Sequence, residues 1–96
     1  MEEKLYITSM LLEKYGFKMK KLHPETDLPG IGGRDKNGTI VTVYQQKKVL
    51  IVHCAVKDKI KIHKQPRGMV IFTNKRFQKP ADILKSVKQA MKMGGY

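Results

Sequence analysis

Four groups of residues in this 96-residue chain have types and spacings that could do chemistry. The first is His53 beside Cys54, the two side-chain types that serve as general base and nucleophile in thiol catalysis. Neighbours on a strand point to opposite faces, so the pair cannot share a hydrogen bond if the apolar run around it is extended. Cys54 then reads as a small core residue and His53 as a buried or interfacial polar group. The second group is Glu13, Asp27, Asp35 and Lys57. Carboxylates are Mg²⁺ ligands, and Glu13, Asp27 or Asp35 with Lys57, completed by a second subunit, is the set on which a metal-dependent reaction would draw. The third is Arg34 behind Gly30, Gly32 and Gly33, where glycine would let backbone amides approach a phosphate closely. The GIGG run has neither the spacing of a dinucleotide fingerprint nor the lysine of a P-loop, and a plain turn explains it as well. The fourth is the basic set Lys57, Lys59, Lys61, Lys64, Arg67, Lys75, Arg76 and Lys79, which flanks the apolar run 69–73 at both ends. Gathered on one side by folding, it would form a groove-sized cationic patch. His23 and His63 have no partners at metal-ligand spacing, and a single cysteine excludes both an internal disulfide framework and zinc sites built on cysteine pairs.

Net charge gives the basic set its weight. Twenty Lys and Arg against eight Asp and Glu leave +12. Residues 1–48 hold nine basic and six acidic side chains, a balance of +3, whereas residues 49–96 hold eleven and two, a balance of +9. Taken singly, each lysine reads as a solvated side chain; taken together, the excess favours a polyanionic partner. Nucleic acid ranks first, because each phosphate that is neutralised releases condensed counterions. Acidic proteins and acidic membrane surfaces, which exploit the same electrostatics, rank lower. Aromatic residues are few, and Phe17, Tyr44, Phe72 and Phe77 form no evident base-stacking platform, so duplex or branched DNA is favoured over single strands and RNA.

The elements that must position these residues read as α+β. A helix is expected over 4–15, closed by Gly16, followed by a strand over 17–22 whose wet face carries Lys18, Lys20 and Lys21. Two prolines, four glycines and little periodicity make 23–38 a long loop. Alternation over 39–46 leads through a polar Gln-Gln-Lys-Lys turn into 49–56, which is apolar throughout, as in a central strand buried on both faces. Residues 57–64 extend it with a basic face, 69–73 form a second doubly buried strand, and Pro80 with Asp82 opens a final helix closed by Gly94-Gly95. Ile83, Leu84, Val87, Ala90 and Met91 are its apolar face, with Lys85, Lys88 and Lys92 on another. The expectation is one domain over 1–96, with a mixed central sheet of four to five strands and helices packed on its faces. No apolar run is long enough to span a bilayer, and the start Met1-Glu2-Glu3-Lys4 is unlike a secretory signal, so a cytoplasmic location is expected.

The runs LLEKYGFKMKKL, TDLPGIGG and GMVIFTNKRFQKPA, with an apolar hairpin between the second and third, resemble the Mrr-type branch of the restriction-endonuclease-like, PD-(D/E)XK nuclease superfamily. The resemblance covers most of the chain and implies a restriction-endonuclease-like layout. Asp27 is similar to the first acid of that family's Asp-x-Gly-Ile-Asp turn, but Gly32 stands where the metal-binding Asp should follow Gly-Ile. The family's acid-x-Lys becomes His53-Cys54-Ala55, and the link between the two apolar strands is too short for the helix the family places there. The resemblance therefore implies a degenerate, DNA-binding relative. The resulting expectation is a non-catalytic nucleic-acid-binding protein that needs no cofactor and contacts phosphates through Arg34 and the basic set, with low sequence specificity. The alternatives are a Mg²⁺-dependent nuclease or resolvase, and an interaction module that binds an acidic protein or a second copy of itself along a strand edge.

Overall fold

The computed structural model describes residues 2–22, 28–62, 65, 66 and 68–96. Along the chain run α1 (Glu3–Lys14), β1 (Lys18–Lys21), β2 (Gly30–Arg34), β3 (Ile40–Gln46), β4 (Val49–Lys57), β5 (Lys61–Ile62), β6 (Gln65–Pro66), β7 (Met69–Phe77) and α2 (Pro80–Met93). Five strands form one sheet in the order β1-β2-β3-β4-β7, and β5 pairs only with β6. Every neighbouring pair in the large sheet is antiparallel. The mixed sheet expected from the sequence is thus replaced by an antiparallel meander. A parallel pair needs a long crossover, whereas each strand here returns directly beside its predecessor in the sheet.

Both helices begin and end where their sequence predicts, within a residue. Gly16, at φ +114°, takes the left-handed conformation just beyond α1. Pro80 opens α2, where its missing N–H is not needed, and Gly95 at φ +94° follows its end. The Lys4 ammonium donates to the carbonyls of Lys48 and Gln78, both at 2.8 Å, fastening the start of α1 to the β3–β4 turn and to the β7–α2 joint.

Burial alternates strictly along the central strands. Val41 and Val43 of β3, Leu50, Val52, Cys54 and Val56 of β4 and Ile31 of β2 share one core with Leu5 and Leu12 of α1 and Ile83 and Val87 of α2. The register aligns Ile31, Val43 and Val52 in one row and Val41 with Cys54 in another, so these residues occupy one face. The helices touch each other and lie together on that face. The opposite face carries Ile40, Thr42, Tyr44, Ile51, His53, Ala55 and Lys57, and neither α1 nor α2 lies on it.

This arrangement corrects three expectations. The run 49–56 is central but covered on one side only: Val49, Ile51 and Ala55 are half-buried and His53 is exposed. Residues 69–73 belong to the edge strand β7, where Ile71 is 61% exposed. Helices do not cover both faces. Apolar, β-branched residues suit a half-covered pleated surface as well as a buried one, so a continuous apolar run does not by itself imply two-sided cover. The basic extension of β4 also stops at Lys57. The chain then turns, with the Lys59 N–H donating to the Gly94 carbonyl at 2.8 Å, into the separate β5–β6 hairpin.

The expected loop over 23–38 contains β2; its residues 23–27 lie outside the described residues. Glycine lowers strand propensity and so hid β2, yet close approach requires it. A Cβ on Gly33 would run into the Lys18 carbonyl, and one on Gly30 would lie 2.7 Å from the Tyr44 ring. On β7 one extra residue faces β4 between the pairs Val52–Lys75 and Cys54–Phe72, a bulge opposite His53.

Two substitutions test this packing by chemical denaturation. Leu50→Ala, at a fully buried site, is expected to destabilise the fold by about 2–5 kcal/mol. Gly33→Ala is expected to destabilise it by about 1–3 kcal/mol through the collision with β1, although alanine has the better intrinsic propensity.

Candidate nucleic-acid interface

The register arranges the uncovered face in rows that cross the strands, about 7 Å apart because alternate residues share a face. One row runs Lys18, Arg34, Ile40, Ala55, Ile71; the next Lys20, Gly32, Thr42, His53; the third Gly30, Tyr44, Ile51, Arg76. Cations therefore stand at the rims, Lys18 and Lys20 on edge strand β1 with Arg34 beside them, and Arg76 on edge strand β7. The middle is apolar and aromatic. Ile40 is 46% exposed, and the rings of Tyr44 and His53 meet edge to face with centroids 6.5 Å apart.

None of the five strands of this sheet contains an Asp or Glu. The described carboxylates lie elsewhere: Glu2, Glu3 and Glu13 at α1, Asp82 on α2, and Asp35 and Asp58 in connections. The helical layer is thus mixed in sign while the sheet strands carry only positive charge. A shallow cleft of about 430 Å³ lies beside Gly32, lined by Lys18, Lys20 and Leu22 from β1 and its end, Arg34 from β2, and Ile40 and Thr42 from β3, so that cationic and apolar side chains share its wall. A smaller hollow of about 150 Å³ lies among Ile40, His53, Ala55 and Ile71.

The basic set expected to gather in one patch is divided. Lys57 ends β4 opposite Met69, whereas Arg76 pairs with Ile51, six residues back along β4 and roughly 20 Å away. Lys75 and Lys79 are exposed at the Arg76 end; Lys75 sits opposite Val52 in the alternate register, and Lys79 precedes α2. Lys59 is drawn toward the C-terminus, its ammonium 4.3 Å from the centre of the Tyr96 ring, and the Tyr96 hydroxyl donates to the Lys57 carbonyl. Lys61 lies in the small hairpin, while Lys64 and Arg67 fall outside the described residues. Arg34 belongs to strand β2 rather than to a glycine turn, and its side chain borders the cleft. Lys18 and Lys20 were not among the expected contacts. Their signal was present as the alternation of Lys18 and Lys20 around Met19, which marks one wet strand face.

The nuclease set is not assembled among the described residues. Glu13 accepts a hydrogen bond from Ser9 at 3.0 Å on the outside of α1. The Asp35 carboxylate caps its own turn, accepting from the N–H groups of Asn37 and Thr39, both at 2.9 Å. The Lys57 stem passes Gly38, and Asp27 lies outside the described residues. No group of three or more His, Cys, Asp or Glu that could hold a metal occurs among the described residues, and no described helix is long and apolar enough to cross a membrane.

His53 and Cys54 face opposite sides of the sheet. Cys54 is 2% exposed, and its thiol is pushed up to about 12, first by burial and then by the Asp35 charge. The native thiol is therefore protonated where an unfolded one ionises. Its share of stability is whole below about pH 9.0 and is lost as pH rises toward 12. Iodoacetamide at pH 8 is expected to leave Cys54 unmodified in the folded protein and to alkylate it in denaturant, as intact-mass measurement would show.

No protein-family model matches the chain, and no curated protein or solved structure matches it significantly, so neither a family assignment nor the restriction-endonuclease-like layout draws support from these comparisons.

Proposed function

We propose that this chain is a non-catalytic nucleic-acid-binding protein that holds the phosphate backbone on the cationic rim of its uncovered sheet face. The observation that carries this reading is a sheet face whose strands contribute no carboxylate and which is rimmed, among the described residues, by Lys18, Lys20, Arg34, Lys57 and Arg76, in a chain of net charge +12. Lysine and arginine at the rims attract and register a phosphate chain from either edge, while the helical layer, with Glu3, Glu13 and Asp82, offers a weaker field. Such binding is salt-dependent and weakly selective for sequence.

Fluorescence anisotropy with a labelled oligonucleotide at several salt concentrations tests the proposal. The double substitution Lys20→Glu with Arg34→Glu is expected to weaken binding and to reduce the slope of log affinity against log salt by about two phosphate contacts' worth, close to 2. The same charge change on the helical layer, Lys14→Glu with Lys85→Glu, is expected to have the smaller effect. Equal losses from both pairs would place the contact elsewhere, and absence of binding at low salt would end the proposal.

A further inference from the structure

The form of nucleic acid that fits this face follows from what lies between its cations. A duplex offers a sheet only sugars, phosphates and groove edges, so its approach would press a charged backbone against Ile40, Ile51, Ala55 and Ile71 and return little for their desolvation. A single strand carries both kinds of surface: base faces that stack on aromatic and apolar side chains, and phosphates that reach cations a few ångströms away. The uncovered face has both in the matching order, with an apolar and aromatic middle and cationic rims.

The cleft over Gly32 adds a receptacle. It falls within the size range of small-ligand pockets, ~300–1,000 Å³, and its lining holds groups for both parts of a nucleotide. Leu22, Ile40 and Thr42 suit a base; Lys18, Lys20 and Arg34 suit the phosphates on either side of it. Gly32 forms the cleft's buried floor, where Leu22 and Thr42 close in: a Cβ there would stand 3.1 Å from Leu22 and 3.3 Å from Thr42. In the adjoining row Tyr44 lies against Gly30 on one side and meets His53 on the other, and His53 is exposed to solvent.

A second copy of the chain is a poor occupant for the same face. Two such faces brought together would oppose cationic rims with no carboxylate on either sheet to neutralise them, and like-charge contact disfavours association. Resting on the nucleic-acid reading above, we infer that a single strand of nucleic acid lies across the uncovered sheet face, with one base in the Gly32 cleft, an adjacent base against Tyr44 and His53, and the phosphates flanking the first base on Lys18, Lys20 and Arg34.

The test compares a labelled twelve-residue thymidine oligomer and its uridine counterpart with a twelve-base-pair duplex, using the full chain and three variants whose folding is checked by circular dichroism. The single strands are expected to bind more tightly than the duplex. Tyr44→Leu, which keeps apolar bulk but removes the ring, is expected to weaken single-strand binding roughly tenfold and to leave duplex binding unchanged. Tyr44→Phe is expected to restore it. His53→Ala, at an exposed position that cannot compromise the core, is expected to weaken single-strand binding in the same direction and keeps the test valid if Tyr44→Leu fails to fold. Equal affinity for duplex and single strands, insensitive to these substitutions, would overturn the inference while the nucleic-acid reading stands. Failure of every oligonucleotide to bind would remove both. Sedimentation showing a dimer that an oligonucleotide cannot dissociate, and that His53→Ala breaks, would assign the face to a second copy instead.

Discussion

The pairing of β3 with β4, in which Val43 faces Val52 and Val41 faces Cys54, sets the character of both sides of the molecule. Side chains alternate with a period of two, so a slip of β4 by one residue against β3 would move Leu50, Val52, Cys54 and Val56 out from under the helices and carry Ile51, His53, Ala55 and Lys57 into the core. The apolar area under α1 and α2 opposes that slip, and burying the His53 ring and the Lys57 ammonium without partners would oppose it further. The same pairing therefore builds the core and exposes the candidate interface.

Charge divides along the same plane. The helices carry lysines together with carboxylates, whereas every ionised group contributed by the sheet strands is basic. Part of this separation is structural. The described acids serve local ends: Asp35 caps a turn, Asp58 accepts from the Ile60 N–H, and Glu3 and Asp82 lie in the first turns of helices where the dipole favours negative charge. What remains for the sheet is cationic, and a face so constituted attracts anions over several ångströms before contact.

Glycine links the fold to the interface. Gly33 allows β1 to approach β2, Gly30 gives the Tyr44 ring a place to lie, and Gly32 lets the Leu22 and Thr42 side chains close over the floor of the cleft. A segment that looks unsuited to a strand thus supplies both the close strand spacing and the concavity of the face. The bulge on β7 opposite His53 works in the same direction, because an extra residue disrupts the ladder where that ring is exposed.

The sequence by itself determined the two helices, the β3–β4 hairpin, the α+β class, the core placement of Cys54 and the opposed directions of His53 and Cys54, since each depends on local periodicity, a helix terminator or strand alternation. It also carried the charge excess and the wet face of β1. Tertiary structure decided the rest. Whether β4 was covered once or twice depended on where both helices docked, which no pattern within Val49–Lys57 encodes. The strand nature of Gly30–Arg34 depended on close contact with Lys18 and Tyr44, from segments distant in sequence. The basic residues flanking residues 69–73 looked like one cluster, but an extended strand holds its ends roughly 20 Å apart. Lys18, Lys20 and Arg34, separated along the chain, were brought to one cleft by antiparallel pairing alone.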